Sequence, residues 1–462
     1  MDEGLQFQIL LWSLALIASA SLGLPAAWKS RRMWLHPGVI IFGLFFLAYG
    51  LPSLRIGLYG PIEIGIWQLP FLPSALAFVS LFLLCFWASF YWGQSLLGSF
   101  WPEPRPEAKF GITGFTLPPS LAIVALSVLA FLIYLITNHY AGGTFFQTGS
   151  IWQAGLFNSR IAFYTQLGVL LTAALFFPAT FLAGCCWGKN KKNILLFSPL
   201  IHSLYIAASS LSRGVLLPPF FFMAAAYLST CRPKEIGRLL LVIMPLSVIG
   251  LVMFYHARRA GWGGISEPLT DWFLFKELFL TSTGIDALSS LNHAFYFRDC
   301  GIGGMGWFHW LFSMVPLPSF LGIGWNQDYV YSVSFASILN RSIGASGWPC
   351  PAWGEFYIQM GWSGVLVGII LGPSLARLWN YLDSKDNSIF STLAILLYIC
   401  VIQGFIISFH SPSRAATRMA VYALFFWGLF KLMGFIRPLY KCGHGKISRP
   451  IRERNICKSN HL

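Results

Sequence analysis

Two kinds of residue could carry chemistry in this chain: arginines at the ends of apolar runs, and carboxylates in a stretch rich in aromatic rings. SSLSRGVLLPP sets Arg213 in a turn between two apolar runs, HARRAG sets Arg258 and Arg259 just after another, and HSPSRAATR sets Arg414 and Arg418 before the last. A guanidinium fork grips two phosphate oxygens at once, so arginines at this depth suit a lipid diphosphate. Snorkelling to headgroups is the competing role. Glu355 stands in PAWGEFYIQMGW beside Trp353, Phe356 and Tyr357, with Asp328 in NQDYVYS and Glu267 in GGISEPL. A carboxylate or histidine within hydrogen-bond reach can take a proton from a hydroxyl, and rings such as Trp353 and Tyr357 can pack on a sugar face. His410 is a further candidate base, as are His256, His293 and His309. For each carboxylate the plainer alternative is a solvated loop position, a helix cap or an ion pair, with Arg341 one partner for Glu355.

These residues need a scaffold, and the composition sets its class. Of 462 residues, 56% are apolar and only 10% charged, against roughly 25% charged in a soluble domain. Runs of about 20 apolar residues recur along the chain, and backbone in lipid must satisfy its own hydrogen bonds, so these runs are helices. The shorter alternating segments of an outer-membrane barrel are missing. The fold class is therefore all-α, a polytopic transmembrane helical bundle. Eleven spans are expected, near 5–27, 35–51, 71–98, 118–138, 161–186, 194–211, 215–230, 239–255, 363–380, 389–409 and 419–436. They divide the chain into an N-terminal bundle of about eight spans (1–255), a large loop (256–362), three C-terminal spans (363–436) and a basic tail (437–462).

Charge fixes the orientation. One alternating set of connectors and the tail hold 21 of the 31 Lys and Arg, and the short connectors of the opposite set hold five: Arg55, Arg160, Arg213, Arg414 and Arg418. The positive-inside rule, which leaves long loops out of the count, puts the N-terminus and the long loop outside and the tail inside. The net charge of +15 follows this pattern and forms no soluble basic domain, so nucleic acid is not an expected partner. Asp2 and Glu3 stand where a signal peptide would carry positive charge.

Within the loop, WFLFKELFLTSTGIDALSSLNHAFYF and GMGWFHWLFSMVPLPSFLGIG are too apolar for a solvated linker, and short helices lying on or dipping into the outer leaflet are expected. A true span is the alternative for the second stretch. Cys300 and Cys350 are the two external cysteines on this topology, as a disulfide or as two thiols. Some chemistries are disfavoured. GIGGMG follows no strand, GASGW lacks a strand–turn–helix context, and neither a phosphate-binding loop nor a metal-spaced cluster occurs, so no metal and no cofactor are expected. All sixteen Asp and Glu fall outside the expected spans, which disfavours ion-coupled transport. His202 alone titrates deep within a span, as a hydrogen-bonded core residue.

The hydropathy pattern, the one large external loop and three short strings (SRG at Ser212–Gly214, MVPLP at Met314–Pro318, and PAWGEFYIQMGWSG) together resemble the Wzy-type oligosaccharide repeat unit polymerases, or O-antigen polymerases. The resemblance implies a bundle of the GT-C-like kind found in multi-span, lipid-sugar-dependent glycosyltransferases. It implies joining of undecaprenyl-diphosphate-linked oligosaccharides at the periplasmic face of a bacterial inner membrane, without a nucleotide sugar. Arg213 falls on the family's outer-turn arginine and Glu355 on its re-entry segment, while Leu317 stands where related chains often carry arginine. The implied partners are the lipid-linked oligosaccharide, the bilayer and a chain-length regulator protein. An O-antigen ligase and a flippase of lipid-linked saccharides are the alternatives.

Overall fold

The computed structural model describes residues 2–30, 33, 36–60, 69–100, 119–140, 194–210, 267–280, 286–299 and 352–384, with single positions between 168 and 183 and between 245 and 256. The described elements are helices. Among the described residues, five stretches are long and apolar enough to cross a membrane: Glu3–Lys29, Pro37–Tyr59, Leu69–Ser95, Ile123–Tyr140 and Ala352–Asn380. The chain is thus a multi-pass helical membrane protein.

Helix α1 (Glu3–Ser21) starts at Asp2, whose carboxylate accepts the Gly4 amide, and α2 (Leu24–Lys29) extends it, with a proline in its first turn where no backbone donor is lost. Helix α3 (Pro37–Phe45) is capped by His36 and passes through a π turn, Phe46–Gly50, into α4 (Leu51–Tyr59). The sequence expectation ended this span near residue 51, at Pro52. The wider π turn absorbs the proline's missing donor, so the helix runs on to Gly60, where φ is +85°. There the Arg55 guanidinium donates to the Gly60 carbonyl at 3.0 Å. Arg55 thus has a structural role as a helix-end cap.

Helix α5 (Leu72–Phe100) is the axis of the bundle, and a 3-10 turn at Leu69–Phe71 leads into it. Phe78, Phe82, Phe86 and Phe90 recur every four residues along it, all nearly or fully enclosed, and make one aromatic stripe. Helices α6 (Pro119–Tyr140) and α7 (Ser198–Ser210) pair elsewhere, with Ser127 Oγ 2.6 Å from His202 Nδ1 and the Phe131 ring stacked on that imidazole. His202 is therefore hydrogen-bonded, as the sequence suggested, but half-buried rather than enclosed in the core.

Four more helices follow: α8 (Glu267–Thr270), α9 (Trp272–Leu280), α10 (Asp286–Asp299) and α11 (Ala352–Met360). After α11 a 3-10 turn, Gly361–Leu366, leads into α12 (Val367–Ser384). Helix α9 leaves Trp272 and Phe273 exposed and packs Leu274, Phe275 and Phe279 on Val252. Helix α10 departs from the expectation of a leaflet-surface helix: Leu288, Leu291 and Phe295 are enclosed in the main core against α5 and α11. Its apolar face finds protein partners, which bury it in the bundle. Helix α12 lies closest to α5. Gly368 faces the Phe82 carbonyl, Gly372 faces Ser89 and the Phe86 carbonyl, and Gly93 faces Pro373. Small residues let the two backbones approach, and Ser89 Oγ donates across the gap to the Gly368 carbonyl at 3.1 Å.

Candidate functional site

Helix α11 carries the site. The sequence expectation placed Glu355 in the loop, eight residues ahead of a span beginning near 363. Instead, residues 352–384 form one helical run broken only by the 3-10 turn, and Glu355 lies inside the apolar stretch Ala352–Asn380. Every residue of α11 is buried, and Glu355 is only 4% exposed. The expectation that all carboxylates avoid the spans therefore fails at this residue. Its cause is compositional: glycines, a nearby proline and Glu355 itself lower the local hydropathy, although the neighbouring rings make the segment strongly apolar in three dimensions.

Aromatic packing locks the helix. Trp353 lies between Phe45 and Phe82, with ring centroids 4.9 and 4.6 Å away, and Phe356 stacks on Phe82 at 6.0 Å. Tyr357 lies flat on Phe295 at 3.5 Å and meets Phe78 edge-on at 5.4 Å. Trp353 and Tyr357, which the sequence suggested as sugar platforms, are thus core rings whose faces meet other rings. Past the last turn, Gly361 takes φ +62°, a left-handed value natural to glycine. Arg298 of α10 donates from Nη1 to the Ile358 carbonyl at 2.7 Å, satisfying one of the carbonyls freed there.

At about 100° per residue, Trp353, Phe356, Tyr357 and Met360 form the face of α11 turned to α5. Glu355 and Gln359 share the other side, one turn apart. Glu355 also lies in the first turn of α11, where unpaired amides and the helix dipole favour negative charge. The neighbouring α10 adds enclosed polar groups: Ser289, Ser290, Asn292 and His293. His293 Nδ1 must donate to the Ser289 carbonyl, 2.7 Å away, which leaves the neutral ring's lone pair on Nε2. Burial pushes the His293 pKa down, so the ring is neutral at neutral pH.

Elsewhere, His256 Nε2 lies 3.0 Å from Glu267 Oε2 and ties the helical turn at His256 to α8. Arg213, Arg258, Arg259, Arg414, Arg418, Asp328 and His410 lie outside the described residues, as do Cys300 and Cys350. The sequence did not single out Gln359, Asn292 or Ser289. For Gln359 a signal existed, because Glu355 and Gln359 stand four apart while Trp353, Phe356, Tyr357 and Met360 trace the apolar face of the same helix. No protein-family model, no curated protein and no solved structure matches this chain.

Proposed function

We propose that this chain is an inner-membrane glycosyltransferase that joins undecaprenyl-diphosphate-linked oligosaccharide repeat units into a surface polysaccharide at the periplasmic face. The N-terminus would be periplasmic and the basic tail cytoplasmic. The observation that carries the reading is Glu355, a carboxylate enclosed within an apolar helix that four aromatic rings of neighbouring helices, Phe45, Phe78, Phe82 and Phe295, hold in place. Burying an ionisable group in an apolar helix is costly, so its presence there points to a function.

In this reading an acceptor sugar hydroxyl attacks the anomeric carbon of the donor chain. A new C–O bond forms as the bond from that carbon to the diphosphate oxygen breaks, and the lipid diphosphate departs with the electron pair. The hydroxyl proton passes to Glu355 and then to water. Arg213, Arg258 and Arg259 would hold the diphosphate, with Arg414 and Arg418 at the neighbouring turn, because fixed guanidiniums stabilise charge that develops on the leaving group. Asp328 and His410 are the reserve bases.

The same burial also favours a second reading, a flippase of lipid-linked saccharides, since a carboxylate inside a span is a feature of transport paths. An O-antigen ligase would share the donor chemistry. Glu355→Gln keeps shape and removes the base. A polymerase strain carrying it should lose the polysaccharide ladder yet keep a single-repeat rung, with normal protein abundance, and Glu355→Asp should keep partial activity. Loss of all decoration would point to a ligase or flippase. An ordinary ladder would remove Glu355 from the mechanism.

A further inference from the structure

Gln359 is 4% exposed, and its Oε1 is fully enclosed with no hydrogen-bond partner among the described residues. Leaving a buried amide acceptor unsatisfied is destabilising, and an apolar residue of similar volume would avoid that cost. The residue stands one turn after Glu355 on the side of α11 away from the α5-facing rings. Side chains four apart on a helix are neighbours, roughly 5–6 Å between Cβ atoms. A ligand that reaches the Glu355 carboxylate therefore also meets the Gln359 amide.

We propose that Gln359 is a substrate-contacting residue of the Glu355 site, its amide hydrogen-bonding a second hydroxyl of the sugar whose first hydroxyl faces the carboxylate. This rests on the proposed function above and adds the element that orients the acceptor. An amide offers one acceptor oxygen and two donor hydrogens, so it can both take a hydrogen bond from a ring hydroxyl and give one to it. The carboxylate alone would leave the sugar free to rotate about a single contact. Two contacts one turn apart fix which hydroxyl is presented, and so bear on the linkage formed. A site built to hydrogen-bond a substrate group discriminates strongly against analogues that lack it.

The experiment uses the full chain reconstituted in vesicles, with single-repeat lipid-diphosphate oligosaccharide from the same strain as both donor and acceptor. Gln359→Leu and Gln359→Met remove the amide at similar volume, and Gln359→Asn retracts it by one methylene. The proposal expects the two apolar variants to melt at or above the wild-type temperature in detergent, because an orphaned polar atom is gone. It expects their kcat/KM to fall about tenfold or more, chiefly through KM, with Asn between them and wild type. Wild-type kinetics in a variant that melts normally would overturn it, as would a loss of activity that only tracks lower melting. Glu355→Gln and a chain-free vesicle run in parallel. Wild-type turnover no greater than that of the chain-free vesicle, or turnover kept in Glu355→Gln, overturns the functional reading and this proposal together, whereas turnover lost in Glu355→Gln but intact in Gln359→Leu overturns this proposal alone.

Discussion

The ring of Phe295 lies on that of Tyr357 with centroids 3.5 Å apart and planes 11° from parallel. This contact joins α10, which follows the eighth expected span, to the helix that carries Glu355. Both rings are enclosed, and Phe78 of α5 meets each of them edge-on. Phe295→Ala should cost about 3–5 kcal/mol, read as a lower thermal transition in detergent, and should reduce activity by letting α11 shift. Tyr357→Phe keeps the stack and should change the transition little. Equal destabilisation by the two would mean that the tyrosine hydroxyl, not the ring contact, holds the helices together.

A second prediction concerns the α5–α12 contact. A Cβ on Gly368 would sit 2.8 Å from the Phe82 carbonyl oxygen, and backbone cannot yield as a side-chain tip can. Gly368→Ala should force the helices apart and lower the melting temperature and the abundance of folded protein. Gly43, in α3, has no atom of the described residues within 4 Å of its would-be Cβ, so Gly43→Ala should be neutral, or stabilise by up to about 1 kcal/mol through helix propensity. A thermal-shift comparison of the two variants checks both statements.

A third concerns Arg298, whose Nη1 holds the Ile358 carbonyl near the end of α11. Arg298→Ala should cost about 1.5–3 kcal/mol, the range for a hydrogen bond to a charged group. Arg298→Lys keeps a cation by the negative end of the helix dipole and should recover part of that. An Ala variant that melts like wild type would show the bond to be idle.

The span pattern was legible because uninterrupted apolar runs need only local information: the expected 71–98 and 118–138 meet Leu72–Phe100 and Pro119–Tyr140 within a few residues. Pro52 misled because a proline reads as a stop, and only the π turn before it shows how the helix continues. Glu355 was legible as a candidate, from its type and its aromatic neighbours, but its place inside a helical stretch was not. The seating of that helix depends on Phe45, Phe82 and Phe295, which hold Trp353, Phe356 and Tyr357 and are distant in sequence, so no local pattern announces their arrival. The same holds for α10, whose composition suits a membrane surface and a protein groove equally well.

The last prediction is an acid sensitivity centred on His36. This residue is almost fully enclosed at the start of α3, where its Nδ1 accepts the Gly38 amide at 2.9 Å and its ring meets Trp379 and Phe90 edge-on. Burial lowers its pKa to about 4 from 6.5. Nδ1 can cap the helix only while it carries a lone pair, so the neutral ring is the form the fold requires. The unfolded chain takes up a proton near pH 6.5 and the folded chain only near pH 4, so between these values the unfolded state binds more protons. Stability from this residue is therefore complete above about pH 6.5, declines as pH falls, and is lost by about pH 4. The total is roughly 3 kcal/mol, at about 1.4 kcal/mol for each pKa unit. His36→Asn keeps an effective cap acceptor and removes the titration. The variant should lie close to wild type at pH 7.5 and melt above it at pH 5, in the same detergent and salt. If wild type and variant lose stability in parallel across that range, the acid sensitivity belongs to other groups and His36 is only a cap.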